Sequence, residues 1–366
     1  MQHRTLGRSG LSVSAFALGT MTFGAGTDRA EAFAQLDAFT AAGGTLVDTA
    51  DVYAGGESER LVGQWLAARP ADVTEHVVLA TKGRFPTDEG PNGAGLSRRH
   101  LTRALEGSLR RLGVDSVDLY QAHSWDPLTP LEETLSFLDD AVRAGKVRYA
   151  GVSNFTGWQV QKTADVAAAR GGQPIASLQL QYNLLAREVE WELVPAAASA
   201  GAGLLAWSPL AGGVLSGKYA PGRRPAPGTR LADPLQAQLF GSRTGAERTW
   251  AVLAELERVA RDHGATPAQV ALAWLAARPG VASVVLGART LAQLESNLDA
   301  AGTSVSAEGT ARLDAVSAPA VDYPYGGFAP AGRLRDPAGA PTTPPTTPPV
   351  AEPAPRLTAE PVPAGA

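Results

Sequence analysis

The runs HVVLATK (residues 76–82) and VDLYQAH (residues 117–123) flank the stretch of sequence that decides the fold. Between them a helical pattern opens at Ser97 and closes at Gly113. Both runs are mainly apolar rather than alternating, which is typical of a parallel sheet covered by helices on one face and by a packed core on the other. The stretch therefore predicts a β–α–β unit.

The same alternation continues along most of the chain. Six further β-rich runs occur at residues 15–18, 45–47, 147–152, 177–181, 204–207 and 282–286. Helical patterns occupy residues 29–42, 60–68, 97–112, 130–145 and 266–278. Eight strands alternating with helices predict an α/β protein with a (β/α)8 TIM barrel. A doubly wound sheet fits the alternation nearly as well, and periodicity alone does not separate the two.

The two ends of the chain depart from this alternation. Residues 4–6 and 11–13, joined by a Gly-rich turn, predict an N-terminal β-hairpin that could plug the bottom of the barrel. Ten of the 31 residues from 336 to 366 are proline, which favours solvated polyproline II over packed structure. The sequence predicts a barrel domain over residues 1–330 and a disordered Pro/Ala/Thr-rich tail over residues 331–366. Residues 220–243, rich in Pro, Gly and Arg, are expected to form a mobile loop.

Composition excludes several classes of protein. Of the 366 residues, 44% are apolar and 19% are charged, and the net charge of −4 offers no basic surface for nucleic acid or an anionic membrane. The absence of cysteine excludes disulfides, thiolate nucleophiles and zinc–thiolate sites, and no metal site is expected. No apolar run approaches the roughly 20 residues that span a bilayer, and the N-terminus does not resemble a signal peptide. We therefore expect a cytoplasmic protein.

Four polar side chains follow three consecutive predicted strands. Asp48 follows the second strand, and Tyr53 lies five residues further on. Lys82 follows the third strand and His123 follows the fourth. A barrel gathers reactive groups just past the C-terminal ends of its strands, so the four should meet at one rim. Taken singly, they could be a turn cap, a rim aromatic, a strand-end cation and an interior histidine, but their joint occurrence favours a catalytic site.

Lys82 is the most informative of the four, because the chain has only 4 lysines against 28 arginines. A lysine keeps a compact charge that can pair with one buried acid. We expect Asp48 to hold Lys82 charged, and Lys82 to lower the pKa of Tyr53 so that the phenol becomes a better proton donor. His123 could hydrogen-bond the same oxygen. Together the four would protonate or polarise a carbonyl group.

These segments resemble the aldo-keto reductase family over nearly all of residues 1–330. VDTADVY (47–53) is similar to the family's Asp/Tyr segment and ATK (80–82) to its lysine segment. DLYQAH (118–123) with its continuation to residue 134, and GKVRYAGVSN (145–154), are equally specific. The resemblance implies an enzyme that reduces an aldehyde or ketone by hydride transfer, with Tyr53 as the general acid.

The resemblance also implies NADPH as cofactor, with NADH accepted less well. The residues that match the family's nicotinamide-binding positions are Gly19, Thr20, Met21, Ser153, Asn154, Gln179 and Trp207. Those that match the pyrophosphate segment are Ser208, Leu210, Gly212 and Lys218. Those that match the segment around the adenosine 2′-phosphate are Gly287, Arg289, Gln293 and Asn297. No G-x-G-x-x-G motif occurs, so a Rossmann dinucleotide site has no support in the sequence. The run GGVLSGK (212–218) resembles a P-loop, but Tyr219 follows it where a P-loop needs Ser or Thr.

The substrate is expected to be a small carbonyl compound. Phe23, Phe85, Trp125 and Trp158 are candidates to line its pocket, which would favour an apolar or aromatic molecule. The loop of residues 83–96 is expected to shape the cleft. The sequence does not specify the oligomeric state.

Three other functions remain open from the sequence. Some members of the family are NADPH-binding regulatory subunits of membrane channels with little turnover. A Schiff-base lyase would use Lys82 as its nucleophile, although the cofactor-binding segments would then be superfluous. A glycosidase is disfavoured, because His123 and Trp207 stand at strand ends where paired carboxyl groups would be needed.

Overall fold

The computed structural model describes residues 1–226, 229–232, 245–321 and 325. Two short strands, β1 (His3–Thr5) and β2 (Ser12–Ser14), form an antiparallel hairpin. Eight further strands follow: β3 (Phe16–Gly19), β4 (Leu46–Asp48), β5 (Val78–Gly83), β6 (Val117–Ala122), β7 (Val147–Ser153), β8 (Ile175–Gln181), β9 (Gly203–Trp207) and β10 (Val281–Gly287). Each of the eight coincides with a strand predicted from an apolar run, with ends that differ by one or two residues.

The strands β3 to β10 close into a parallel barrel in chain order, with β10 pairing with β3. In that closing pair Gly287 lies opposite Gly19, and Gly19 in turn lies opposite Asp48 of β4. The structure confirms the (β/α)8 barrel and excludes the doubly wound sheet. Closure brings the C-terminal ends of all eight strands to one rim.

Helices connect the strands and cover the outside of the barrel. Among the described residues they are α1 (Arg29–Ala41), α2 (Glu57–Ala68), α3 (Ala71–Thr74), α4 (Arg98–Leu112), α5 (Leu131–Arg143), α6 (Gly157–Ala169), α7 (Val189–Ala200), α8 (Glu247–Asp262), α9 (Pro267–Ala276), α10 (Leu291–Leu298) and α11 (Ala307–Ser317). Short 3-10 segments occupy Tyr53–Gly56, Ala211–Ser216, Arg230–Ala232 and Asp299–Gly302. None of the described helices combines the length and apolar character that a membrane crossing requires.

The N-terminal hairpin closes the bottom of the barrel, as predicted. Its apolar side chains Leu6 and Val13 are fully buried and belong to the cluster that fills the barrel interior. A larger cluster fills the space between the strands and the surrounding helices. With the bottom filled by side chains, the opposite rim is the open end at which polar strand-end residues lie.

Two predicted segments lie wholly or partly outside the described residues. The tail of residues 331–366 and the predicted end of the domain at residue 330 are both outside them. The predicted loop of residues 220–243 is described only over 220–226 and 229–232, where Arg230–Ala232 forms a 3-10 turn.

The hairpin turn gives a test of the plug. Gly7 has a φ of +60°, and a Cβ there would lie 2.3 Å from the carbonyl oxygen of Gly201. We expect Gly7→Ala to lower the free energy of unfolding by about 2–4 kcal/mol, because the added methyl group meets rigid backbone. The measurement is chemical denaturation followed by circular dichroism.

Gly10 of the same turn provides the matched control, since a Cβ there meets nothing within 4 Å. Gly10→Ala should change the free energy of unfolding by no more than about 0.5 kcal/mol. Equal effects of the two substitutions would show that the contact of the turn with Gly201 does not stabilise the barrel.

Candidate active site

The ends of β4, β5 and β6 bring four predicted residues to the rim. Asp48 is the last residue of β4, and Lys82 is next to last in β5. His123 directly follows β6, and Tyr53 begins the 3-10 turn after β4. The strands carry their polar residues to the rim because their buried neighbours fix the register of the sheet. All four predicted side chains are therefore brought to one place.

The ammonium of Lys82 is fully buried and makes three hydrogen bonds. It donates to Asp48 Oδ2 at 2.6 Å, to the carbonyl oxygen of Thr49 at 2.8 Å and to the hydroxyl of Tyr53 at 3.3 Å. Burial acts to lower the pKa of Lys82, but the charges of Asp48 and Tyr53 outweigh burial and raise the pKa above its usual value. Lys82 therefore stays protonated.

The predicted lowering of the pKa of Tyr53 is wrong. Burial raises the pKa of this phenol above its usual value, and the charge of Lys82 only partly opposes that rise. The main physical reason is burial of the phenol, and the charge of Asp48, 2.6 Å from the ammonium, adds to the rise by offsetting part of the positive charge of Lys82. Tyr53 is accordingly protonated at neutral pH.

His123 lies beside Tyr53 without a hydrogen bond between them. The two rings meet edge to face with centroids 5.9 Å apart, and the Phe85 ring lies 4.7 Å from His123 on another side. Burial, followed by the charges of Lys82 and Arg84, holds the pKa of His123 well below its usual value. The imidazole is therefore neutral, and its buried Nδ1 has no partner among the described residues.

Two amide side chains, from the ends of β7 and β8, lie beside this centre. Gln179 donates to Asp48 Oδ1 at 2.8 Å. Asn154 donates to the carbonyl oxygen of His123 at 3.0 Å and to Ser153 Oγ at 3.1 Å, and it accepts the indole N–H of Trp207 at 3.0 Å. The residues predicted to meet a nicotinamide thus form one connected network, in which the Trp207 ring is fixed by Asn154.

Backbone conformations of the left-handed region concentrate in the segment after β9. Ser208 and Ala211 have φ values of 53° and 49°, and Gly212 and Gly213 follow with 68° and 90°. The amide of Gly212 donates to Ser208 Oγ, and Leu210 is half-buried beside them. The amides of Ala211 and Gly213 donate to the carbonyl oxygens of Ser208 and Leu210, so the tight turn is closed by its own hydrogen bonds.

Three cations lie near this turn. A Cβ on Gly213 would lie 2.7 Å from Lys218 Nζ, and one on Gly287 would lie 3.6 Å from Arg230 Nη1. Burial, then the charges of Arg289 and Arg230, lower the pKa of Lys218. The sequence prediction missed Arg230, because it falls in a Pro- and Gly-rich stretch without a periodic pattern.

The start of α10 contains the residues that match the family's 2′-phosphate segment. Thr290 caps the helix by accepting the amide of Gln293, and Glu31 of α1 accepts the amide of Leu291. The Gln293 side chain in turn accepts the amide of Arg289 at 3.0 Å. Asn297 is buried one turn further along. Two amides at this helix start are thus already occupied, so an anion would depend mainly on the guanidinium groups.

The remaining predicted residues divide into rim and core positions. Gly19 lies at the rim, and Met21 is 40% exposed. Thr20 is fully buried, and its hydroxyl bonds Ser58 Oγ at 2.7 Å and donates to the carbonyl oxygen of Asp48 at 3.2 Å. Phe23 is also fully buried in the outer core, so it does not line an open cleft. Phe85 and Trp125, in contrast, are half-exposed at the rim.

A buried acidic cluster behind the centre was not predicted. Glu59 of α2 is fully buried, accepting Thr81 Oγ1 at 2.6 Å and Arg111 Nε at 2.7 Å. Asp51 is buried beside it, and neither of its carboxyl oxygens has a hydrogen-bond partner in the described parts of the chain. The only signal in the sequence was a carboxylate two residues before Tyr53.

Burial and the neighbouring Glu59 raise the pKa of Asp51 from 3.8 to about 7, although Arg111, the amide of Val52 and Lys82 act in the opposite direction. Between these two pH values the folded chain holds a proton that the unfolded chain has lost. The free energy of unfolding therefore falls with rising pH over this range, by up to about 4 kcal/mol, and the destabilisation is complete above pH 7.

We expect Asp51→Asn to remove this pH-dependent fall in the free energy of unfolding. The variant should gain stability relative to the parent protein as the pH rises from 5 to 8, because the amide cannot ionise. Urea denaturation at a series of pH values measures the difference. Asp72→Asn, at an exposed carboxylate of α3, is the control and should leave the pH dependence unchanged. Parallel pH profiles for Asp51→Asn and the parent would contradict the raised pKa.

Comparison with known proteins confirms the resemblance predicted from the sequence. Residues 15–318 match the sequence model of the aldo/keto reductase family. The chain is 39% identical over 316 residues to the uncharacterized oxidoreductase YrpG of Bacillus subtilis, covering 84% of this chain and 93% of that protein.

Two other relatives carry different functional names. A probable voltage-gated potassium channel subunit beta of Oryza sativa is 39% identical over 305 residues, covering 82% of this chain and 91% of that protein. Versiconal hemiacetal acetate reductase of Aspergillus parasiticus is 32% identical over 307 residues, covering 78% and 88% respectively. The similarity thus extends along nearly the whole of each relative.

Proposed function

The chain belongs to the aldo/keto reductase family and is an NAD(P)H-dependent oxidoreductase acting on C=O and CH–OH groups, and from this premise we propose that it uses NADPH to reduce an aldehyde or ketone, with Tyr53 as the proton donor. The observation that carries the proposal is the contact of Lys82 Nζ with both Asp48 and the Tyr53 hydroxyl. It supplies a protonated phenol next to a fixed positive charge.

The chemistry that bound NADPH supplies is a hydride for the carbonyl carbon. Tyr53 gives its proton to the carbonyl oxygen as negative charge develops there. The phenolate left behind is stabilised by Lys82, whose own charge is secured by Asp48. The raised pKa of Tyr53 keeps the phenol protonated until this moment, and the ammonium lowers the cost of losing the proton.

His123 takes the role of orienting the carbonyl group. Because its imidazole is neutral, one ring nitrogen can donate a hydrogen bond to the carbonyl oxygen without competing with Tyr53 as an acid. A Schiff-base lyase is disfavoured, since Lys82 Nζ is fully buried, charged and committed to three acceptors. An amine in that state does not attack a carbonyl carbon.

The described residues fit a nicotinamide dinucleotide. Asn154, Ser153 and Gln179 offer the uncharged donors and acceptors that suit a carboxamide, and Trp207 offers a flat ring for stacking. The turn at Ser208, Leu210 and Gly212 would hold the pyrophosphate together with Lys218. Arg289 and the newly identified Arg230 would hold the 2′-phosphate, which favours NADPH over NADH.

The remaining expectations follow from composition. We assign the protein to the cytoplasm, acting on a small-molecule carbonyl substrate without a nucleic-acid or membrane partner, because its net charge of −4 favours neither surface. We also retain residues 1–330 as the catalytic domain and residues 331–366 as a separate disordered tail, on the proline content of the latter.

Tyr53→Phe tests the proton donor. The variant should bind NADPH as the parent does but lose about 10²–10⁴-fold in turnover of an aldehyde, because only the hydroxyl is removed. NADPH absorbance measures turnover, and NADPH fluorescence measures binding. Tyr149 lies in the first half of β7, away from the rim, so Tyr149→Phe should leave turnover and NADPH binding unchanged. Retained turnover in Tyr53→Phe would assign the proton to another group.

Arg289→Gln tests the cofactor preference. The dissociation constant for NADPH should rise about 10–100-fold while that for NADH changes little, because only NADPH carries the extra phosphate dianion. Fluorescence titration with both dinucleotides measures the two constants. Arg261→Gln, at an exposed position of α8, controls for the change in net charge. An equal loss for both dinucleotides would place Arg289 away from the 2′-phosphate.

A non-catalytic, NADPH-binding regulatory subunit is the alternative, favoured by the similarity to the channel subunit beta of Oryza sativa. The complete set of Asp48, Tyr53, Lys82 and His123 supports catalysis instead. A steady-state assay with simple aldehydes decides between them: NADPH binding without measurable turnover would support the regulatory role.

A further inference from the structure

Arg84 lies two residues after Lys82, where β5 leads into the rim loop. Its carbonyl oxygen accepts the amide of Gly95 at 2.8 Å, which ties the start of this loop to its end. The Arg84 guanidinium carbon lies 5.1 Å from the centroid of the Phe85 ring, and that ring lies 4.7 Å from His123. The cation is therefore held beside the side chains that flank the proposed carbonyl site.

One N–H donor of the Arg84 guanidinium has no hydrogen-bond partner among the described residues. This donor is the Nε–H, and it is buried. The charge of Arg84 contributes to the lowered pKa of Asp126. That carboxylate already accepts hydrogen bonds from the amides of Leu96 and Leu128 and from the hydroxyl of Thr129. Asp126 is thus occupied by three other donors.

The surface next to this cation is aromatic. Trp125 meets Phe155 with ring centroids 5.2 Å apart and Trp158 with centroids 5.4 Å apart. Trp158 is 57% exposed. Phe155 is buried, so the accessible aromatic surface comes from Trp125, Trp158 and Phe85, and Arg84 places one positive charge beside Phe85.

A half-buried guanidinium whose Nε–H lacks a partner among the described residues favours an anion of planar, forked shape, which a carboxylate provides. The charge of Arg84 also reaches His123, because it contributes to the lowered pKa of that imidazole after burial and Lys82. A carboxylate on Arg84 would therefore lie within the same cleft as the reacting carbonyl, not at a separate surface.

We propose that the substrate is an aromatic or apolar carbonyl compound bearing a carboxylate, and that Arg84 binds this carboxylate. The proposal rests on the proposed reductase function for its kinetic test. The binding test is independent of that function, because it depends only on the position of Arg84 beside the aromatic surface.

The kinetic test uses 4-carboxybenzaldehyde and its methyl ester, which differ in charge but carry the same aldehyde. The parent enzyme should show a kcat/KM about 10–100-fold higher for the acid, as expected for one charge-assisted interaction. Arg84→Gln should remove that preference by lowering kcat/KM for the acid while leaving the ester within about twofold. Arg84→Lys should restore part of the preference, because the charge returns without the fork.

Arg99→Gln is the matched control, since Arg99 is exposed on α4 and its loss changes the net charge equally. It should leave the preference intact. Equal kcat/KM for acid and ester in the parent, or a preference that survives Arg84→Gln, would overturn the proposal.

The binding test keeps this proposal apart from the reductase function. Quenching of tryptophan fluorescence reports binding of benzoate and of benzamide, its uncharged analogue. Benzoate should bind more tightly to the parent, and Arg84→Gln should abolish the difference. If neither aldehyde is turned over but benzoate binding still depends on Arg84, the reductase function fails and the carboxylate site stands. Equal binding of benzoate and benzamide would refute the site itself.

Discussion

The rim of the barrel is organised around one buried ion pair between Asp48 and Lys82. Both side chains are removed from water, which is costly unless every remaining donor and acceptor is satisfied. Here Lys82 also reaches the carbonyl oxygen of Thr49 and the hydroxyl of Tyr53, and Asp48 Oδ1 accepts Gln179. Removal of either partner would leave the other charge buried, a state that typically costs about 3–5 kcal/mol.

This pair constrains strands that are distant in sequence. Asp48 is on β4, Lys82 on β5 and Gln179 on β8, so the contacts form only when the barrel closes in the correct register. From Gln179 and Asn154 the same network reaches the predicted cofactor turn. The proposed catalytic centre and the proposed dinucleotide site are therefore parts of one hydrogen-bonded rim, built on a scaffold whose opposite end is filled by Leu6 and Val13.

Backbone strain is also concentrated at this rim. Among the described residues, the non-glycine positions with positive φ are Ala54, Asn154, Ser208 and Ala211. Each lies next to a predicted catalytic or cofactor-binding residue, or is one. Such conformations cost of order 1–3 kcal/mol each and persist only where the surrounding structure holds them, as in a preorganised site.

The sequence predicted what local patterns determine. Apolar runs located all eight barrel strands, and polar residues at their ends located Asp48, Tyr53, Lys82 and His123. Barrel closure depends on pairing between β10 and β3, which no local pattern encodes. Burial depends on packing, and for that reason the sequence did not indicate that Phe23 is fully buried or that burial outweighs Lys82 in setting the pKa of Tyr53. Asp51, Arg84 and Arg230 were missed because their importance lies in neighbours brought close only by the fold.

Because lysine is scarce, amine-directed reagents find few lysine side chains to modify on this protein. Lys82 is sealed from solvent, while Lys146 pairs with Glu106. Lys218 has an exposed side chain, but partial burial of its ammonium, followed by the charges of Arg289 and Arg230, lowers its pKa. More of this amine is uncharged at mildly alkaline pH, so acylating labels or activated resins will attach there in preference to Lys162. Coupling chemistry of that kind would modify the proposed nucleotide cleft, and thiol-based attachment through an introduced cysteine would spare it.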